Sequence, residues 1–306
     1  MEVAGHGRST FRVLTARFVF EFGSLFAGVA AVGAVVLFPF SRSPVFAAVS
    51  DDGGLLDRVS GYVERYYQRT QTLVATETVV IQPLAPDMSD FGPARRVVNE
   101  LRIEWQSGSS RAPRTMRQVM STKGPWLGPP DKPDCFDPRS LSPEPLAFLL
   151  PANRHKFRFS VGRTDVVDGV PARRISYEAL TREPLRVDWQ GKCGTIRTPS
   201  QTRGFVWVDP GSGEIVRFDE HLARAVNLPG PPGPDGHQAP RSFRMERDDT
   251  LIDYKRFAFT DPDETVLLPS RVESLTVIRN SAVPRVRTTV TLTDYRRFLT
   301  GGRVVQ

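Results

Sequence analysis

The sequence predicts an α+β chain that is mainly β, built on an antiparallel sheet with one wet face. Two observations predict it. Over residues 97–105, Val97, Leu101, Ile103 and Trp105 alternate with Glu100, Arg102 and Glu104; Phe157, Phe159 and Val161 alternate with Arg158 and Ser160; and Val286, Thr288, Val290 and Leu292 alternate with Arg287, Thr289, Thr291 and Thr293. A period of two puts successive side chains on opposite faces of a strand, and sheets with one solvated face are ordinarily antiparallel. The second observation is the turn chemistry between such runs. Pro210-Gly211-Ser212-Gly213 separates residues 205–209 from 214–218, and Asp168-Gly169 separates residues 164–167 from 172–177. Both read as hairpins.

The elements follow in order. Residues 1–47 have the three parts of a secretory signal: Arg8, Arg12 and Arg17, an apolar run over residues 25–40, and small residues at Val45, Ala47 and Ala48. Cleavage is expected after Ala47 or Ala48, leaving residues 48–306 as a single domain. The apolar run of about 16 residues comes close to the roughly 17–25 of a spanning helix, so the alternative is an uncleaved anchor facing the periplasm. In that case residues 25–40 contact the membrane.

A helix is expected from Asp51 or Asp52 to about Gln71, because Leu55, Leu56, Val59, Tyr62, Val63 and Tyr66 recur at helical spacing. The β-branched run 76–81 then reads as a strand. A short helix capped by Ser142 is expected to run through Leu149 and stop before Pro151. Residues 228–240, rich in Pro and Gly, read as an exposed loop. Asp261-Pro262-Asp263-Glu264 reads as a turn between strands rather than a calcium loop, which needs ligands at alternate positions.

Composition bounds the function. The 306 residues, 40% hydrophobic and 25% charged, can fill a sizeable core. The net charge of +7 falls to about +5 once Arg8, Arg12, Arg17 and Arg42 leave with Glu2 and Glu21. The remaining arginines are scattered among acids, as over residues 244–249, so no nucleic-acid stripe forms. His155, His221 and His237 are far apart and read as surface histidines, with no metal-ligand spacing. Gly211-Ser212-Gly213 lies in a hairpin turn, not in the strand-to-helix elbow of a serine hydrolase. No catalytic residue, metal site or cofactor is expected. Cys135 and Cys193 lie in loop-like sequence; in an oxidising compartment they are expected to form a disulfide closing about 58 residues, the alternative being two separate buried thiols.

The order of parts resembles the LolA-like lipoprotein-carrier group of the periplasm, and uncharacterised secreted bacterial proteins near it. The resemblance rests on the first helix, on Phe205-Val206-Trp207-Val208-Asp209-Pro210 followed by Gly213-Glu214-Ile215-Val216-Arg217, on Leu268-Pro269-Ser270-Arg271-Val272-Glu273, and on residues 288–298. It implies a strongly curved sheet, an incomplete β-barrel, with helices covering the concave face. It also implies a non-enzymatic protein that shelters a lipid, an acyl chain or a lipid-modified protein. Strand alternation and the resemblance together nominate Leu101, Ile103, Trp105, Phe157, Phe159 and Trp207 as the ligand-binding face. The alternatives are an envelope protein-interaction or sensing module with a packed core, and a secreted hydrolase using dispersed carboxylates. An apolar hollow between sheet and helices separates the carrier from the packed module.

Overall fold

The computed structural model describes residues 52–104, 114–124, 145–180, 186–190, 193–197, 202–229, 243–281 and 284–297. The leader reading of residues 1–47 therefore lies outside the described residues. Helix α1 spans Asp52–Thr70 and is followed by strands β1 (Leu73–Pro83), β2 (Arg95–Glu104) and β3 (Arg114–Lys123). A 3-10 turn (Leu146–Leu149) and the short helix α2 (Pro151–Arg154) come next. The rest is β: β4 (Phe157–Val167), β5 (Val170–Ala179), β6 (Arg186–Gln190), β7 (Cys193–Arg197), β8 (Thr202–Val208), β9 (Ile215–Leu222), β10 (Val226–Leu228), β11 (Phe243–Thr260), β12 (Asp263–Arg279) and β13 (Arg285–Arg297).

One large antiparallel sheet runs β3-β2-β1-β13-β12-β11-β9-β8-β5-β4, with β10 added to β11, and β6–β7 form a separate two-stranded ribbon. Its edge strands β3 and β4 do not pair, so the sheet is an incomplete barrel. Bulges between Asp253 and Tyr254, between Val74 and Thr76, and between Val161 and Thr164 interrupt the ladders. Each such insertion bends its strand and increases twist.

Helix α1 covers one face of the sheet. Its stripe of Leu55, Val59, Tyr62, Val63, Tyr66 and Tyr67 is buried against Ile175, Val206, Val208, Ile215, Phe218 and Ile252 of the strands. A second cluster, with Ala75, Val79, Ile81, Val97, Leu101, Val290 and Leu292, occupies the same face nearer β2. Partly buried Val272 and Tyr295 pack against both clusters.

Both expected hairpins are present. Asp168 and Gly169 take φ 49° and 82° between β4 and β5, the left-handed pair that matches the twist of the flanking strands. In the β8–β9 hairpin, Gly211 N–H, Ser212 N–H and Ser212 Oγ–H all donate to Asp209 Oδ1 at 3.0, 2.7 and 2.9 Å. Those backbone bonds hold the Asp209 carboxyl below its usual pKa. Residues 261–262 form the expected turn between β11 and β12.

The expected short helix and the loop placement of Cys193 are both amended. The 3-10 turn ends at Leu149 as expected, with Leu150 extended before Pro151, but Pro151 then opens α2, where the first helical position has no N–H to lose. Pro145 directly precedes the 3-10 turn and makes no side-chain cap bond; the expected cap, Ser142, lies outside the described residues. Cys193 opens strand β7, opposite Gln190, and does not lie in a loop. Its proposed partner Cys135 lies outside the described residues, as do residues 230–240 of the expected loop.

Candidate functional site

The site is built where the 3-10 turn, α1 and α2 meet the β4–β5 edge of the sheet. Phe148 enters from the turn and stacks on Tyr177 at 4.1 Å; Phe157, Phe159 and Phe218 surround it with centroids 5.4–6.1 Å away. Alternation on β4 and β5 brings these rings to one face. The helices are tied together by polar contacts. Ser60 Oγ–H donates to Leu149 O at 2.7 Å, Arg154 Nη1 donates to Asp57 Oδ1 at 2.6 Å and to Ser60 Oγ at 3.1 Å, and Asn153 Nδ2 donates to Ala147 O at 2.8 Å.

Beside those contacts opens a cleft of about 620 Å³, with Leu56, Gly61 and Glu64 on α1, Arg154 and His155 at α2, and Phe159 of the sheet among its walls. Apolar and ionisable groups share it. Such a lining suits a ligand with a greasy body and a polar end, since a purely apolar molecule would cover the Glu64 carboxylate without offering it a hydrogen bond. Deeper in, the space between α1 and the sheet is filled by Tyr62, Tyr66, Tyr67 and Phe148. In place of the continuous hollow that separates a carrier from a packed module, the described residues show close packing and a cleft at its margin.

The nominated residues divide. Phe157 and Phe159 sit together, 6.4 Å apart, beneath Phe148. Leu101 is buried in the second cluster, and Ile103 is half-buried two residues along β2, far across the strand order from β4. Trp105 lies outside the described residues. Trp207 faces the other way: its neighbours Val206 and Val208 are the buried members of β8, and Trp207 Nε1 donates to Asp165 Oδ2 on the outer face at 3.0 Å. That bond is the main reason the Asp165 carboxyl titrates low. Arg174 lies 5.1 Å over the neighbouring Phe205 ring.

Sequence reasoning missed a polar strip on the helix-covered face. Tyr177 Oη–H donates to Glu220 Oε2 at 2.8 Å, and Thr276 Oγ1–H donates to Asp248 Oδ1 at 3.2 Å. Burial pushes the Glu220 carboxyl up to about 7, against the hydrogen bonds from Tyr177 and Thr202, and burial likewise raises Asp248. Tyr177 is driven well above its ordinary value by burial and by the nearby Glu220 charge. A half-buried glutamate in a strand has no signature in a single sequence, because alternating acids read as solvated.

Among the described residues no group of His, Cys, Asp and Glu could hold a metal ion. No described helix is long and apolar enough to cross a membrane.

No family model and no curated protein matches this chain. Solved structures do align over most of it. One, described as an outer-membrane lipoprotein-sorting protein domain from Vibrio parahaemolyticus, is 11% identical, with 81% of this chain and 94% of that chain covered and a TM-score of 0.35. A DUF1329 family protein from Desulfovibrio piger is 7% identical, with 81% and 93% covered and a TM-score of 0.37. A LolA superfamily protein from Nitrosomonas europaea is 9% identical, with 81% and 97% covered and a TM-score of 0.29. The structural neighbours thus include the group that the order of parts resembles. At these identities and scores the likeness carries no functional argument.

Proposed function

We propose that this chain is an exported, non-enzymatic binding protein that holds a lipid, an acyl chain or another apolar ligand where α1 and α2 meet the sheet. The observation that carries this reading is the cleft of about 620 Å³ lined in part by Leu56 and Phe159, within the ~300–1,000 Å³ typical of small-molecule sites. Each methylene withdrawn from water there contributes about 0.8 kcal/mol. Because Phe148 and the α1 tyrosines fill the interior, a longer chain enters only as the helices part. The leader pattern of residues 1–47 supports a periplasmic or extracellular location, or an inner-membrane anchor if the leader is retained. Lipoprotein sorting, which a neighbour's description names, reaches this chain only as part of this proposal, with a lipid-modified protein as the partner class.

Native mass spectrometry of protein purified without detergent tests the reading. The expected result is an adduct with the mass of one acyl-chain ligand, lost on delipidation and restored by lipid extract. Bare chain before and after incubation with lipid would overturn it.

The packed interior favours one second reading, an envelope protein-interaction module. Recovery of one stoichiometric protein partner, together with no lipid adduct, supports that reading over the first.

A further inference from the structure

The connection between β1 and β2, residues 84–94, is held in one shape by many bonds. Leu84 N–H donates to Arg285 O at 3.0 Å, Ala85 N–H to Ser89 O at 2.9 Å, Met88 N–H to Ala85 O at 3.0 Å and Phe91 N–H to Pro83 O at 2.9 Å. Gln82 Nε2 donates to Gly92 O at 3.1 Å. Ser89 donates to Asp87 Oδ1 through both its backbone N–H and its hydroxyl, and Arg287 pairs with Asp90. The fixed loop presents apolar side chains to solvent: Phe91 is 66% exposed and Met88 37%. Met88 is held at φ 68°, a left-handed conformation that side chains other than Gly, Asn and Asp rarely adopt. Backbone strain of this kind tends to be retained where it serves function.

Cations surround the loop. Arg96 and Lys123 are both exposed and stand directly opposite each other on β2 and β3, a like-charge pair that disfavours the sheet. Neither has an acidic partner among the described residues. Arg285 and Arg287 leave β13 beside them, with Arg287 opposite Gln82 of β1. The loop's own acids are occupied, Asp87 by Ser89 and Asp90 by Arg287.

We propose that this end of the sheet docks on an anionic bilayer surface. Phe91 and Met88 enter the interfacial region while Arg96, Lys123 and Arg285 face lipid phosphates, Arg287 being held by Asp90. Aromatic side chains favour the depth of the headgroups, and cations held near an anionic leaflet are attracted to it. Two apolar side chains on a loop tip, ringed by charge, are too little apolar area for the core of a protein interface and suit shallow insertion. The surface is remote in strand order from the β4 cleft, so it stands independently of the ligand proposed there.

The test uses the full chain with vesicles of phosphatidylglycerol and phosphatidylethanolamine, or of phosphatidylcholine alone. Phe91→Ser and the double variant Arg96→Gln with Lys123→Gln alter exposed side chains and leave the fold intact. Each is expected to weaken binding to the anionic vesicles about tenfold, and the double variant to lose most of the preference over phosphatidylcholine. Residues 25–40 are common to every variant, so a photo-crosslinking residue at position 91 reports the contact itself, with a lipid adduct expected. Unchanged binding by both variants, or an adduct to protein alone or to nothing at position 91, would overturn the proposal.

Discussion

Arg117 on β3 reaches across β2 to form a two-pronged ion pair with Glu77 on β1, Nε donating to Oε2 at 2.6 Å and Nη2 to Oε1 at 2.8 Å. The two side chains are only 1% and 2% exposed, and Asn99 of the intervening strand donates to the same carboxylate at 2.9 Å. Three strands are therefore locked in register by one dehydrated carboxylate. Glu77→Leu or Arg117→Met alone strands a buried charge and is expected to cost about 3–5 kcal/mol, whereas the double replacement costs far less than the sum, about 1–3 kcal/mol, chiefly for the Asn99 amide left without its acceptor. Urea denaturation of the two single variants and the double checks this. Additive losses in the double variant would contradict it.

Glu220 gives stability a pH dependence of defined sign. Its carboxyl titrates near 4.5 when unperturbed and at about 7 in the folded chain, so between those values the folded state holds a proton that the unfolded state has released. Stability then falls as pH rises through that window, by at most about 3 kcal/mol. Asp248, raised by burial, acts in the same direction. Glu220→Gln should flatten the profile and make the protein more resistant to urea at about pH 8 than the parent. A variant as sensitive to pH as the parent would show that Glu220 is not the group responsible.

Gly213 sets how closely the β8–β9 hairpin approaches α1. It takes φ 75°, and an added Cβ would lie 2.8 Å from the Arg58 carbonyl carbon. Gly213→Ala therefore combines a left-handed backbone with a clash against helix main chain, and should cost about 1–3 kcal/mol. Hydrogen exchange should show lowered protection concentrated in α1. Loss of protection spread evenly over the sheet would place the effect elsewhere.

Strands with one wet face were legible in the sequence, because β2, β4 and β13 each alternate cleanly. Strand β3 was not: Arg114–Lys123 is an edge strand with Met116, Val119 and Met120 exposed, so no apolar face imposed a period of two. The motif around Trp207 gave the hairpin but not its facing. The indole suggested a ligand wall, yet the smaller Val206 and Val208 are the residues that fit beneath the helix. Glu77 and Arg117, 40 residues apart, each read as a solvated strand residue, and only the strand order brings them together. The packed interior was equally invisible, since the aromatic residues that would line a hollow also fill it.

Gly61 offers the most direct test of ligand binding at the helix–sheet margin. It lines the cleft, and a Cβ at this position meets only the guanidinium of Arg65, at 3.2 Å. Gly61→Leu should fill the cleft while raising helix stability by up to about 1 kcal/mol, so lost binding cannot be ascribed to unfolding. Titration of cis-parinaric acid, a fluorescent fatty acid, into both proteins is expected to show saturable one-site binding in the parent and at least roughly tenfold weaker binding in the variant. Equal binding by the two proteins, or none by the parent, would contradict a ligand site between α1, α2 and Phe159.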